Sequence, residues 1–592
     1  MCGICGFNWE DRGLVKRCVQ VLSHRGPDDK GVYTDSHVSL GHARLSIIDL
    51  SKKGKQPLSN EDGSIWITYN GEIYNYRELR RVLEKKGHKF FSNTDTEVIV
   101  HAYEEWGLDF PKKLRGMFAL GIWDSQRKKL VLARDPIGKK PLYYYYKNGK
   151  FVFASEIKAI LEVGIPRNVN LNALLCYVAF GYSLGIQTLF DRVKKLPGGS
   201  LLVLDENGME IKRYWDIQEN LISGSESFFV KRLSSILTGS TKIRMLASDV
   251  PIGSFLSGGI DSSSVVALAR KFVDYEMHTF SVGFDVFSEL EYAKITAEHL
   301  GTNHHEIFLD GKKVLKEIGK IAWRFDEPLG DPAIIPNYFL SKEARKYVKV
   351  VLAGEGGDEL FGGYPHYKNN LNALGKPSLV KFIGKIFLCF PSPGFGVFGK
   401  AKRYFEYITQ PDLLNLELYS TRIASNSQIK SFLRFPFQDP HSFAIQPSFR
   451  ASKLNHMLIV DCKNLLPEKY LMKADKATMA NSVEERLPLL DKNLIEFAFQ
   501  IPGKLKIKNG NEKYILRKAV SSILPKEIIQ REKTGFNVPA NVWINKEMKE
   551  FAESVISESE LIKKYFRTEK IPENLKWEFF ALGLWEKEYF RR

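Results

Sequence analysis

Residues 250–262, Val-Pro-Ile-Gly-Ser-Phe-Leu-Ser-Gly-Gly-Ile-Asp-Ser, run from an apolar stretch through a glycine pair into a helical pattern. A buried strand is predicted over 250–256 and a helix over 262–272. The same alternation follows, with a strand at 277–284, a helix at 291–300 and a strand at 349–353. Strands separated by helical crossovers predict a parallel sheet in an α/β domain. Beyond about residue 360 the pattern becomes mostly helical, and 377–447 carries little readable periodicity. No internal repeat or low-complexity tract is present.

The chain ahead of this unit reads differently. Short strands at 38–48, 65–69, 117–124, 129–134, 142–147 and 151–154 are broken by turns, with helices at 76–86 and 96–106. This predicts an α+β layered domain. A turn-rich stretch at 196–199, a strand at 201–204, a turn at 205–208 and Tyr214-Trp215 mark its end. The expected division is therefore 1–215 and 216–592.

The chain has 592 residues, 44% of them hydrophobic, which excludes both a small module and a disordered protein. A net charge of +17 raises nucleic acid or phosphate-bearing partners. Acidic and basic residues alternate along most of the chain, however, and no arginine-rich arm or zinc-finger spacing occurs, so no nucleic-acid partner is expected. The apolar stretch 379–390 contains Lys381 and Lys385 and ends at prolines, well short of the roughly 20 apolar residues of a membrane span. No membrane partner is expected. Six scattered cysteines and the lack of a signal-peptide pattern point to the reducing cytoplasm. Cys2 and Cys5 form a C-x-x-C pair, but neither a redox helix nor further zinc ligands accompany it, so Cys5 reads as core. A Gly394–Gly399 match to G-x-G-x-x-G follows Pro391 and Pro393 rather than a strand and is rejected as a dinucleotide site.

Met1-Cys2-Gly3 opens the chain. Removal of the methionine would leave Cys2 with a thiol and a free α-amine. An α-amine titrates near about 7.7–8.0 and a thiol near about 8.5, so the amine can serve as the thiol's base without a histidine. Alone, a cysteine in this position means little. Ser23-His24-Arg25-Gly26-Pro27-Asp28, Gly41-His42-Ala43-Arg44-Leu45-Ser46, Asn70-Gly71-Glu72-Ile73-Tyr74-Asn75 and Thr94-Asp95-Thr96-Glu97 follow it in order. Together with Cys2 they resemble class II glutamine amidotransferase domains, and the His-Arg-Gly-Pro-Asp form is similar to the asparagine synthetase branch.

The resemblance implies an αββα, Ntn-hydrolase-like layering. It makes Cys2 the nucleophile and Asn70 with Gly71 the oxyanion hole. Arg44, Leu45, Ser46, Ile47, Ile48, Asn70, Gly71, Glu72 and Asp95 become glutamine contacts. The chemistry suits these residue types. Arg44 can clamp a carboxylate, Asp95 can face an ammonium, and the Asn70 amide with the Gly71 N–H can donate to a developing oxyanion. Taken singly, Arg44 could form a strand-end salt bridge, Asn70-Gly71 a hairpin turn and Asp95 a helix cap.

The Ser257-Gly258-Gly259-Ile260-Asp261-Ser262 loop lies between strand and helix, where backbone N–H groups favour a polyphosphate. No Walker sequence occurs. The loop resembles the pyrophosphate loop of ATP pyrophosphatases, which adenylate a carboxylate. Ala353-Gly354-Glu355-Gly356-Gly357-Asp358 forms a second acidic, glycine-rich loop after a strand. Asp261 and Asp358 are candidate Mg²⁺ ligands. By the resemblance, Phe255, Ser257, Gly258, Gly259, Asp261, Ser262, Val282, Ala353 and Gly354 line the ATP site. Glu355 and Lys513 act on the acyl-adenylate and the α-phosphate. Further matches at 326–328, 471–479, 482–491 and 513–517 extend the resemblance over nearly the whole chain.

The resemblance thus implies a ligase that passes ammonia from glutamine to β-aspartyl-AMP, with ATP and Mg²⁺, and is compatible with a homodimer. Ala353 and Gly357 stand where relatives often carry serine. Two other readings are an amidotransferase adenylating a sugar acid or a peptide side chain, and a non-catalytic basic binding protein on the same fold.

Overall fold

The computed structural model of the chain describes residues 1–284, 290–389, 396–449, 451–532, 535 and 537–591. Two six-stranded antiparallel sheets build the first part. In spatial order the first contains Val193–Lys195, Tyr143–Lys147, Lys150–Ala154, Gly3–Phe7, Ser39–Arg44 and Asp29–Thr34. The second contains Gly208–Arg213, Ser200–Asp205, Lys129–Arg134, Gly116–Asp124, Ile65–Ile73 and Leu58–Ser59.

The sheets face each other through Ile4, Leu40, Leu132, Tyr144, Phe153 and Leu202, all buried. Phe153 is the wedge between them. A Cβ on Gly6 of one sheet or Gly121 of the other would stand 2.5 and 2.6 Å from its ring, so both positions need glycine for the sheets to close. Helix Arg12–Val21, with Ile157–Leu161 beside it, covers the outer face of the first sheet, and Asp95–Trp106, with Tyr76–Lys85 packed on it, covers the second. This is the expected αββα layering.

The two helices expected in this part are present, but Arg12–Val21 and Leu171–Phe180 are additional. Leu171–Phe180 is almost continuously apolar and buried from Ala173 to Phe180, so it has no polar face to reveal a helical period. The strand expected over 38–48 stops at Arg44, and 45–48 is loop. Strand Ile65–Ile73 runs on through Asn70 and Gly71, paired with Ala119 and Phe118, so no hairpin turn forms there.

A five-stranded sheet organises the second part, in the order Asn303–Leu309, His278–Phe284, Ile252–Phe255, Val350–Leu352 and Glu484–Arg486. Every pairing is parallel, as the strand-helix alternation predicts. Helices Ile260–Ala269 and Ile334–Ala344 flank it. The strands Asn303–Leu309 and Glu484–Arg486 escaped the sequence reading. The second has only three residues, all charged, and none of a strand's usual composition.

The little-readable region is helical where described, with helices Ser378–Cys389, Gly396–Ile408, Leu413–Ser420 and Asn426–Phe432. Residues 394 and 395 of the G-x-G-x-x-G match lie outside the described residues, and the remainder starts a helix. No helix among the described residues is long and apolar enough to cross a membrane.

Candidate active sites

The first centre forms where strand Gly3–Phe7 begins. Cys2 is buried, and its backbone N–H donates to Asn70 Oδ1 at 2.9 Å. That bond fixes the amide of Asn70, leaving Nδ2 fully buried without a hydrogen-bond partner. A buried N–H₂ with no acceptor is costly unless an acceptor arrives during function, which suits an oxyanion donor beside the thiol. Gly71 is required sterically, because a Cβ there would lie 2.1 Å from the Met117 carbonyl oxygen.

Burial pushes the Cys2 thiol above its ordinary value, while the chain's terminal ammonium, the Leu45 N–H and Arg44 pull it down. The terminal ammonium belongs to Met1, so the Cys2 nitrogen is here an amide. The self-contained amine base expected for Cys2 therefore requires loss of Met1. Met1 is itself buried, and its ammonium sits 3.0 Å from Glu484 Oε2. With Met1 in place the cavity beside Cys2 measures only about 40 Å³. Removing the methionine frees both the amine and the space its side chain fills.

Around this cavity stand Arg44, Ile47, Glu72, Asp95 and Glu484. Among the described residues Arg44 makes no salt bridge of the strand-end kind. Its guanidinium donates to the carbonyls of Ser51 at 2.8 Å and Asp49 at 2.6 Å, which folds the 45–51 loop over the site. Leu45 and Ile48 also line the cavity; Ser46 does not, and its N–H is taken by Asp28 at 2.9 Å. Thr94, not Asp95, caps helix Asp95–Trp106. Asp95 instead accepts from Tyr69 Oη at 2.8 Å and from the Ile73 N–H at 2.9 Å. Burial lifts its carboxyl to about 6 against these bonds. Glu72 is raised too, first by burial and then by Asp95, and Arg486 holds it at 3.1 Å.

The second centre is a cavity of about 570 Å³ at the carboxyl ends of the parallel strands, lined by Phe255, Asp261, Val282, Glu355, Asp358 and Lys513 among others. Ser257, Ser262, Ala353 and Gly354 also border it. Gly258 has φ +69 and packs so closely that a Cβ would meet the Ala293 nitrogen at 2.5 Å. Ser262 Oγ stands 3.0 Å from Ser257 Oγ and accepts from the Ser257 N–H at 3.1 Å, which closes the loop over the start of helix Ile260–Ala269.

Lys513 ties the two acidic loops together. Its Nζ bonds Asp261 and lies 2.7 Å from Asp358 Oδ1. The pair of carboxylates raises the ammonium well above its ordinary value despite burial. A Cβ on Gly363 would fall 1.9 Å from Asp358 Oδ1 and 2.1 Å from Lys513 Cε, and one on Gly357 would fall 2.3 Å from Asp261 Oδ1. Glycine at both places keeps the cradle open. Two hard carboxylates on facing loops are a donor set that fits Mg²⁺ carried by a polyphosphate.

Glu355 is half-buried, and desolvation raises its carboxyl; Glu485 is fully buried and is raised well above its ordinary value, first by burial and then by Glu355. The strand Glu484–Arg486 thus faces both centres. Side chains alternate along it, so Glu484 and Arg486 reach the Cys2 side while Glu485 reaches the Glu355 side.

Sequence reasoning gave no role to Glu484, Glu485, Arg486 or Arg25. Arg25 donates from Nε to the Cys2 carbonyl at 3.0 Å, and its fork holds Glu156 at 2.9 Å and Asp475 at 2.8 Å. The His24-Arg25-Gly26 motif was visible; the 450-residue separation from Asp475 hides the partner.

The family described as "Asparagine synthase" matches residues 232–585, and the one described as "Glutamine amidotransferase domain" matches residues 1–215. Among curated relatives, "Asparagine synthetase [glutamine-hydrolyzing] 1" of Bacillus subtilis is 40% identical, over 95% of this chain and 90% of its own. "Amidase chyE" of Penicillium rubens is 30% identical, over 92% and 89%. A solved glutamine phosphoribosylpyrophosphate amidotransferase from B. subtilis overlaps 54% of this chain and 93% of its own at 16% identity and a TM-score of 0.30. With two site architectures of the matching kinds and a 40% identical relative spanning nearly the full length, the chain belongs to the asparagine synthase family.

Proposed function

We propose that this protein is a glutamine-hydrolysing asparagine synthetase, with residues 1–215 releasing ammonia from glutamine and 216–592 consuming it. The observation that carries this reading is the pairing of two built centres on either side of one three-residue strand. In the first, the Cys2 thiolate attacks the side-chain amide of glutamine. Asn70 Nδ2 and the Gly71 N–H donate to the oxyanion, the Cys2 amine delivers a proton to the leaving nitrogen, and ammonia departs. Water then cleaves the thioester to glutamate. Asp95 and Glu72 face the substrate ammonium, and Arg44 the carboxylate.

In the second, the β-carboxylate of aspartate attacks the α-phosphorus of ATP and pyrophosphate leaves. Lys513 neutralises charge on the α-phosphate. Mg²⁺ held by Asp261 and Asp358 would offset the charge of the departing pyrophosphate. Ammonia adds to the acyl carbon, AMP leaves, and the proton shed by nitrogen passes to the carboxyl pair of Glu355 and Glu485. Buried walls matter here, since ammonia released to water is mostly protonated and no nucleophile.

Cys2→Ala is expected to abolish glutamine-dependent synthesis while ammonium salts still support it. Both rates are read as asparagine formed and pyrophosphate released. Loss with both donors in folded protein would contradict the division of labour. Failure of aspartate alone to promote exchange of labelled pyrophosphate into ATP, where a different carboxylate succeeds, would reassign the acceptor.

A further inference from the structure

Helix Ser378–Cys389 is apolar on two faces. One face is accounted for: Val380 packs into a small core with Phe405 and Tyr407, Phe387 lies 5.1 Å from the Phe405 ring, and Gly384 lets Phe405 come close enough that a Cβ would stand 2.7 Å away. The other face is not. Leu379, Phe382, Ile383 and Ile386, spaced i, i+3, i+4, i+7, are 67%, 60%, 51% and 47% exposed. The paired helix Gly396–Ile408 begins with Val397 and Phe398, 82% and 62% exposed. A contiguous apolar stripe at helical spacing that turns away from its own core marks an interaction surface.

The charge around the stripe says what covers it. Residues 360–405 hold seven Lys and Arg and no Asp or Glu, in a chain whose charges otherwise alternate. Lys381 and Lys385 lie within the exposed helix, and Lys400, Lys402 and Arg403 within its partner. A second copy of the chain would bring the same basic stretches face to face. An acidic partner surface would answer the charge but would have to present a large apolar area as well. An anionic bilayer supplies both, with phosphates for the lysines and acyl chains beneath them.

We propose that this helical pair is a peripheral docking element by which the protein lies on anionic phospholipid surfaces. The helix Ser378–Cys389, about 18 Å long, lies in the interface with Leu379, Phe382, Ile383 and Ile386 in the acyl boundary and the lysines at headgroup level. It does not cross the bilayer, for which it is far too short. The catalytic cavities are lined by other residues, so docking leaves both chemistries in place and concentrates them at a membrane.

Flotation of the full chain with vesicles of phosphatidylglycerol and phosphatidylcholine tests this. Binding is expected to the mixed vesicles, to fall at least tenfold on pure phosphatidylcholine, and to weaken in about 0.5 M salt. Phe382→Asp with Ile386→Asp, and separately Lys381→Glu with Lys385→Glu, are each expected to lower the partition coefficient at least tenfold. Unchanged thermal melting and unchanged ammonia-dependent synthesis confirm intact protein. No binding to anionic vesicles, or binding that both double variants leave untouched, overturns the proposal. So does loss of an oligomer in the Phe382→Asp, Ile386→Asp protein without any vesicle binding in the parent, which would assign the face to a second copy.

Discussion

Replacing Glu484 by glutamine should move the acid limb of glutamine hydrolysis to lower pH. Glu484 holds the Met1 ammonium at 3.0 Å in a fully buried contact. When Met1 is removed, the α-amine becomes the Cys2 nitrogen one residue along, and successive backbone nitrogens lie within about 3.8 Å. The carboxylate is then at most roughly 7 Å from the base of the reaction. At that limit and an effective dielectric of about 20, Coulomb's law gives about 2.4 kcal/mol, or roughly 1.7 pH units. Arg486 and Lys140 already offset part of the charge, so about one unit is the expected shift. The sign follows from the base having to be neutral. The carboxylate favours the ammonium and raises its pKa, so its removal lets the amine deprotonate at lower pH.

Glu484 is held down to about 2 by the terminal ammonium, Arg486 and Lys140 in spite of burial, and so stays charged throughout an assay between about pH 5 and 9. The other groups facing the amine, Arg44, His42, Tyr69, Glu72, Tyr74, Asp95 and Arg486, are common to both proteins. Glutamate release would be followed across that range, with intact mass used to verify methionine removal in both. Superimposable acid limbs would refute the reasoning, since a merely looser fold lowers the rate without moving the limb.

Asn70→Ala should reduce kcat for glutamine hydrolysis by roughly 10²–10³, because Nδ2 is the buried donor lacking an acceptor; steady-state kinetics showing less than a tenfold loss would remove it from the oxyanion hole. Gly363→Ala should abolish pyrophosphate exchange while glutamine hydrolysis survives, because the new methyl would overlap Asp358 and Lys513; normal exchange would show that the cradle can yield. Asp95 is lifted to about 6 by burial, so below that pH it becomes neutral. The KM for glutamine should therefore rise by up to about tenfold per unit as pH falls below 6, and a KM constant from pH 7 to 5 would deny Asp95 the ammonium contact.

Much of the fold and most of the candidate residues were legible because they are local. The alternation around 250–353 needs only windows of ten to twenty residues, and the loop of Ser257 to Ser262 is a strand, a turn and a helix start in sequence. Leu171–Phe180 was missed because uniform burial erases its period. The loop 45–48 read as strand because its apolar residues look alike whether they extend a sheet or line a pocket.

By itself the sequence determined the two chemistries, since each motif holds its reacting groups within a few residues of one another. Only the tertiary structure decided how they meet. Glu484, Glu485 and Arg486 lie in the 482–491 match but carry no local sign of burial. Glu484 and Arg486 are buried because their partners, the chain terminus and Glu72, arrive from up to 483 residues away. A charge is admitted to the interior only when its counter-charge is delivered by the fold, and no local pattern records that delivery.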